Sequence, residues 1–513
     1  MLNSKLSKLL QWLTKHGYLL AAFFVPLMVR SIPEILSWPY PLGLDTLTLI
    51  PGIQQAWVFS LGPVGFLQST NLFLLLATLL NGLFHNVVTV TKILGPLLLA
   101  ALSFTMYLYA RKGLCWSSRK SLLVSILVAT YFVSLRDSWD LYRQTLGLVF
   151  LMATLVSLKS FNSPRRYYAA SFFMVLTVFS HQLVSVILFF VVALEATRYL
   201  MKRVQRDSVY LLASAALPAA LFLFQIYSPR LGTVVLPNII MASGPSINLA
   251  VYMAGLLIYC YAIILPLVFL GLKGFRDWVL KYWVLLCLGI VLVEMLFPNI
   301  PLYYWNRWVY LLVYPLLFFV VQGLERLWRF APNTKGKVKR LLPKVFAIAY
   351  CFLLLVLSGY YLTTSPENAF PYFSQYNPYL TEIPSSMLQN TVSITDNPSL
   401  VLCFEWLNNN TAESSVVVSH YALYDLAVLY IPSHHIVPVI LGPSIYDNVQ
   451  NETIVADQML STANEYSAGG HVKVYTVWWI SGDGWYGIRS LPSDFKEVYH
   501  SGKMAVYLYN PGV

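Results

Sequence analysis

The residues of this chain best able to do chemistry are a few ionisable groups set between long apolar runs. Asp45 comes first, in Trp38-Pro39-Tyr40-Pro41-Leu42-Gly43-Leu44-Asp45-Thr46. Pro39 and Pro41 stiffen the approach and Gly43 permits a tight turn. Such a loop can hold one carboxylate at a fixed depth, where it can serve as a general base. A solvated loop aspartate is the competing reading. Next is Arg136-Asp137-Ser138-Trp139-Asp140-Leu141-Tyr142-Arg143-Gln144. If Trp139–Gly147 is one helix, Asp140, Arg143 and Gly147 share a face; a surface ion pair is the alternative. His181 stands between two apolar runs, where a histidine can also cap or pack. Last, Tyr303-Tyr304-Trp305-Asn306-Arg307-Trp308 puts Arg307 at the head of an apolar run, with Glu294 as its candidate partner across the Phe297–Pro301 turn.

One carboxylate, several arginines and a histidine suit transfer of a group from a phosphate-linked donor. The carboxylate takes a proton from the acceptor hydroxyl. Arg136, Arg143, His181 and Arg307 bind the departing phosphate, with Asp137, Asp140 and Glu294 in support. Asp137 and Asp140 could reach one divalent ion, Mg or Mn, but no tight set of oxygen ligands is visible. The five cysteines have no metal spacing, and only Cys403 falls in the C-terminal part, so that part has no internal disulfide.

The elements that must position these groups are membrane helices. Hydrophobic residues make up 58% of the 513, charged residues 11%. A soluble globular chain is about 25% charged. Residues 1–362 hold 30 Lys/Arg and nine Asp/Glu; residues 363–513 hold four and 13. The basic residues of the first part cluster between apolar runs, so the high pI signals membrane topology and not nucleic acid. The clusters are Lys5/Lys8/Lys15, Arg111/Lys112/Arg119/Lys120, Lys159/Arg165/Arg166, Arg198/Lys202/Arg203/Arg206, Lys273/Arg276/Lys281 and the run from Arg326 to Lys344.

With all six clusters on the cytoplasmic side, crossings fall at roughly 18–33, 88–110, 121–135, 145–158, 167–180, 182–197, 208–226, 248–270, 282–297, 308–325 and 345–362. That is about eleven, with eleven to thirteen allowed. The expected fold is an α-helical polytopic membrane protein of the plasma membrane, with its N-terminus cytoplasmic and a C-terminal extracellular α/β domain. The transmembrane domain is 1–362, with an outer loop at 34–86, and the extracellular domain is 363–513. The first apolar run reads as an anchor and not as a cleaved signal. Residues 66–84 are apolar enough to span, but counting them would reverse the topology downstream. They read as a re-entrant or interface-lying helix, tolerated where protein covers the backbone.

In the C-terminal part, residues 414–419, 436–440, 472–480 and 504–509 read as strands. Residues 398–409 read as an amphipathic helix capped by Asn397 or Ser399. Asn409-Asn410-Thr411 and Asn451-Glu452-Thr453 are glycosylation sequons, compatible with an outside location.

On these residues the chain resembles the GT-C superfamily of membrane glycosyltransferases. Pro41-Leu42-Gly43-Leu44-Asp45-Thr46 is similar to the Pro-x-Gly-x-Asp-Thr loop of prokaryotic, especially archaeal, members. Trp139–Gly147 is similar to their outer-loop Asp/Arg segment. Phe404-Glu405-Trp406-Leu407-Asn408 with Ser415–His420 resembles the start of their external domain. The resemblance implies an inverting transfer from a polyprenyl-phosphate sugar, of the dolichyl phosphate type in archaea. Asp45 is then the base, and the acceptor is a glycan, lipid or protein. Leu47-Thr48-Leu49-Ile50 follows Asp-Thr where members often carry an aromatic. Trp478–Gly487 has the residues of an oligosaccharyltransferase signature in another order, so transfer to Asn is not implied.

Two alternatives remain. A lipid-linked glycan ligase would use Arg and His without a carboxylate base. A transporter or assembly scaffold would do no chemistry, but a transporter should show repeats and midplane charges, and no repeat is present. The basic clusters set the first expectation. A protease-cleavable reporter inserted after Lys337 should stay protected from external protease in intact cells, and cleavage would reverse the topology.

Overall fold

All eleven apolar segments are helical in the computed structural model, which describes residues 2–43, 45–160, 164–227, 247–296, 305–330, 337–363, 392–439, 452–468, 472–484 and 488–511. In chain order the helices are α1 (Leu2–Leu36), α2 (Asp45–Gln54), α3 (Trp57–Ser60), α4 (Gly62–Leu67), α5 (Leu72–Phe84) and α6 (Val87–Leu108), which ends in a π turn at Tyr109–Gly113. Then come α7 (Ser118–Thr130), α8 (Phe132–Asp140), α9 (Tyr142–Ser160), α10 (Arg165–Ser180), α11 (Gln182–Met201) and α12 (Gln205–Tyr227). The set continues with α13 (Ile247–Tyr261), α14 (Leu265–Leu272), α15 (Trp278–Leu296), α16 (Trp305–Leu311), α17 (Val313–Arg329) and α18 (Lys337–Thr363).

Among the described residues, six helices are long and apolar enough to cross a membrane, or up to eight if each of two bent pairs is one span. The chain is thus a multi-pass membrane protein. The expected eleven crossings include helices that fall short of a full span, such as α10 with 16 residues. The 66–84 segment resolves into α4, a polar break at Gln68–Asn71, and α5. With 13 residues, α5 is about 20 Å long, too short for an ordinary crossing.

The bent pairs are α7–α8, at 60°, and α13–α14, at 78°. A broken helix leaves carbonyls without partners, which is costly away from water. Here side chains supply the donors. Tyr131, extended at the α7–α8 break, donates its hydroxyl to the Cys260 carbonyl near the end of α13. Ser134 Oγ lies 2.6 Å from the Val128 carbonyl and 2.9 Å from that of Tyr131, serving the end of α7. Arg30 caps α8, with Nε 3.3 Å from the Ser138 carbonyl and Nη2 3.3 Å from that of Trp139. Arg326 Nη1 caps α14 at the Leu270 carbonyl, 2.7 Å away.

Helices α14 and α17 pack antiparallel through two glycines. A Cβ on Gly271 would sit 1.9 Å from the Phe319 carbonyl oxygen, and one on Gly323 would sit 2.1 Å from that of Leu267. Small residues permit such backbone contact between membrane helices. Elsewhere, the acids that precede or follow the basic clusters are paired. Asp207 binds Arg166 at 2.6 Å, Asp277 lies 3.8 Å from Lys159, Glu195 meets Arg198, and Glu325 meets Lys120.

The C-terminal part adds α19 (Asn397–Asn410), β1 (Val416–His420), α20 (Tyr421–Tyr430), β2 (His435–Val439), α21 (Glu452–Ser467), β3 (Val474–Trp479), β4 (Phe495–Ser501) and β5 (Met504–Tyr509). The sheet order is β2-β1-β3-β5-β4. β1 is parallel to β2 and β3, while β5 is antiparallel to β3 and to β4. The α/β layer expected from the sequence is present, and β4, α20 and α21 are additions to it. The expected cap of α19 is corrected. Asp396 takes the cap position without a side-chain cap bond, because its Oδ2 accepts from Trp479 Nε1 at 3.2 Å. Asn409 is exposed, and Asn451 lies outside the described residues. All five cysteines are free.

The chain divides into two compact units. The helical unit is Met1–Ile32 with Ala56–Gly359, and the C-terminal unit is Pro33–Gln55 with Tyr360–Val513. The expected outer loop at 34–86 is therefore divided, its first part packing with the C-terminal unit. The glycine crossing gives a stability test. Gly323→Val should cost about 3 kcal/mol or more, since the clash is with backbone. Thermal unfolding in detergent should show a clear loss, while Gly289→Ala, with open space at its Cβ, should leave the midpoint in place.

Candidate functional site

In the helical unit, the break between α8 and α9 builds the candidate site. Asp137 lies on α8 and is fully buried. Its Oδ2 accepts from Tyr314 Oη at 2.9 Å and from Gln144 Nε2 at 3.2 Å. Its Oδ1 is buried and has no hydrogen-bond partner among the described residues. Arg136 and Arg307 both act electrostatically on Asp137. His181 forms the extended junction between α10 and α11, and is 9% exposed. Arg143 and Arg307 both act on its ring, whose Nδ1 is likewise without a hydrogen-bond partner. Gly147, one turn after Arg143 on α9, is what admits this junction. A Cβ there would meet His181 Cβ at 3.1 Å.

The structure therefore brings Arg136, Asp137, Arg143, His181 and Arg307 into one electrostatic neighbourhood, although they come from three helices and a junction. Asp140 and Arg143 are not on one helix as expected. The chain breaks at Leu141, with φ −80° and ψ 52°, and the two residues lie on α8 and α9. The side chains of Asp140, Glu294 and Asp45 lie outside the described ones, so the expected Glu294–Arg307 pair does too. Asp45 is the first residue of α2, in the C-terminal unit. The turn before it is as expected, with Gly43 at φ +85°, a left-handed conformation suited to glycine.

Sequence reasoning missed four contributors. Tyr314 is one tyrosine among 35 and carries no distinguishing signal. Gln144 was inside the quoted segment but has no charge. Arg30 and Lys92 had a signal, a lone cation within an apolar run. Arg30 is fully buried, with its guanidinium 4.7 Å from the centre of the Trp139 ring. Lys92 is 5% exposed on α6, one turn before Gly95, which abuts the Tyr142 hydroxyl at the head of α9. It adds a cation at the same end of the bundle as Arg143.

Cations beside a buried carboxylate and a histidine are chemically able to hold an anion that carries its own hydrogen-bond acceptors. Among the described residues no three of His, Cys, Asp and Glu converge to hold a metal ion.

No protein-family model and no curated protein matches the sequence. Solved structures do match in shape. The crystal structure of ArnT from Cupriavidus metallidurans bound to undecaprenyl phosphate aligns with TM-score 0.54 and 12% identity, covering 96% of this chain and 98% of that one. The cryo-EM structure of the arabinofuranosyltransferase AftD from Mycobacteria aligns with TM-score 0.51 and 12% identity, covering 97% of this chain and 40% of AftD. The chain shares its fold with these two structures.

Within this fold, Arg30 is what holds the end of α8 that presents Arg136 and Asp137. Arg30→Met should leave two buried carbonyls without donors, at about 1–3 kcal/mol each. The readout is thermal stability in detergent, where Arg30→Lys should recover part of the loss and Arg30→Met none.

Proposed function

We propose that the protein is a membrane glycosyltransferase that moves a sugar from a polyprenyl-phosphate donor to an acceptor hydroxyl, with Asp45 as general base. The observation that carries this reading is that Arg307 acts both on Asp137, together with Arg136, and on His181, together with Arg143. The fold shared with ArnT, which was solved with undecaprenyl phosphate bound, supports a polyprenyl phosphate as the anion.

The step balances as a single displacement. The acceptor oxygen attacks the anomeric carbon and gives its proton to the Asp45 carboxylate. The bond from that carbon to the phosphate oxygen breaks, and its electron pair leaves with the polyprenyl phosphate. Arg143, Arg307 and Arg136 stabilise the charge that gathers on the leaving oxygen. The attack comes from the face opposite the phosphate, so the anomeric centre inverts. A divalent cation, Mg or Mn, would draw on Asp137 and Asp140, and no step here depends on one.

One observation favours a second reading. Asp137 is the carboxylate whose charge is placed among the cations, and one of its oxygens is free of hydrogen bonds. It could itself be the base. A ligase without a carboxylate base is a further outcome, as is a scaffold.

A single assay separates these readings. Transfer is measured from a radiolabelled polyprenyl-phosphate sugar in membranes, with binding of the lipid phosphate measured alongside. Asp45→Asn should lower turnover by about 10²–10⁴-fold and leave donor binding in place. Arg143→Ala should weaken donor binding, because it removes a charge-assisted bond. Wild-type turnover in Asp45→Asn with loss in Asp137→Asn would transfer the base role to Asp137. Wild-type turnover in both would leave the ligase or scaffold.

A further inference from the structure

Residues 33–55 form one compact unit with residues 360–513. Within that unit α2 packs on α20. Leu47, Ile50 and Ile53 recur every third residue along α2, and none is more than 2% exposed. They form one apolar face on the helix that Asp45 begins.

Helix α20 is a fixed platform for that face. Its N-terminus is capped by His420, whose Nδ1 accepts from the Ala422 amide at 3.2 Å. Burial holds the His420 ring down at about 3, so it stays neutral and remains an acceptor at physiological pH. At the other end Asn408 Nδ2 donates to the Tyr430 carbonyl at 3.1 Å, and the Tyr430 ring stacks on Phe404 with centroids 6.2 Å apart. Ala422, Leu423, Leu426 and Ala427 are buried, and α20 packs on β1, β2 and α19. Tyr40, just before the Gly43 turn, lies within electrostatic range of Tyr430.

We propose that α20 is the positioning element for the Asp45 segment, so that the C-terminal domain sets where the carboxylate stands. The inference rests on Asp45 as base only for its catalytic consequence; the docking of α2 stands on packing alone. A base misplaced by about 1 Å can cost on the order of 10²-fold in rate. The phosphate-binding arginines belong to the helical unit, so loosening α2 should spare donor binding. A loss of turnover at constant donor KM is the signature, and general unfolding would not produce it.

The test uses the full-length protein in lipid nanodiscs, with amide hydrogen exchange and transfer kinetics measured together. In the double variant Ile50→Ala, Ile53→Ala, exchange across residues 46–54 should rise at least tenfold while β1, β3 and α19 stay protected. Turnover should fall by about 10²-fold with donor KM unchanged. Unchanged protection of 46–54 would overturn the docking. Lost protection with wild-type turnover would overturn the positioning role. Should the double variant not fold, Ile53→Val carries the same comparison with a smaller rise in exchange. Failure of the base reading looks different: Asp45→Asn would keep its turnover, and the exchange arm would still decide whether α2 is held by α20.

Discussion

The structure depends on one constraint, that every backbone carbonyl freed by a broken helix must find a donor inside the protein. A chain that crosses a bilayer has no water there to supply one. This chain breaks its helices at Tyr131, at Leu141, between Tyr261 and Leu265, and at Leu312. Side chains from distant helices answer these breaks. Tyr131 serves Cys260, Tyr261 serves Val309, Arg30 serves Ser138 and Trp139, and Arg326 serves Leu270. Each such bond also ties two helices together, so the breaks that weaken single helices bind the bundle.

The candidate site is a product of the same constraint. An unbroken helix from Ser118 to Ser160 would spread Arg136, Asp137 and Arg143 along a rod. The breaks at Tyr131 and Leu141 instead turn α8 into a short segment that α7, α9, α16 and α17 surround. Asp137 is fully buried there because Tyr314 and Gln144 donate to it and arginine charges face it. A buried carboxylate without such partners would be strongly unfavourable.

The sequence showed the helices well, because apolar runs between basic clusters leave few alternatives. It showed less of their breaks. Pro266, near the start of α14, marks one. Tyr131 and Leu141 have no proline or glycine beside them, and their breaks are held by tertiary bonds that no local signal carries. In the C-terminal unit the buried strands β1 and β3 were legible as apolar β-branched and aromatic runs. The edge strand β4 was not, since Phe495–Ser501 buries only Phe495, lacks alternation and pairs with β5. Helix α20 was missed for a similar reason: its apolar composition fits a strand as readily as a helix until its packing is seen. Of the site, the charged members were legible because charge is rare in this chain. The neutral members, Gln144 and Tyr314, were not.

The proposed function divides the chemistry between two units of different construction. Arg136, Arg143, His181 and Arg307 sit in a helical unit whose polar groups are fixed by buried hydrogen bonds, which suits a binding site that must not reorganise as charge develops. The Asp45 segment sits on an α/β layer, tied to it by an apolar helix face. Apolar contacts are nondirectional, so that face can be loosened or shifted without breaking a hydrogen bond. Selection can therefore alter the position of the carboxylate by changes in the C-terminal unit while leaving the cationic site as it is.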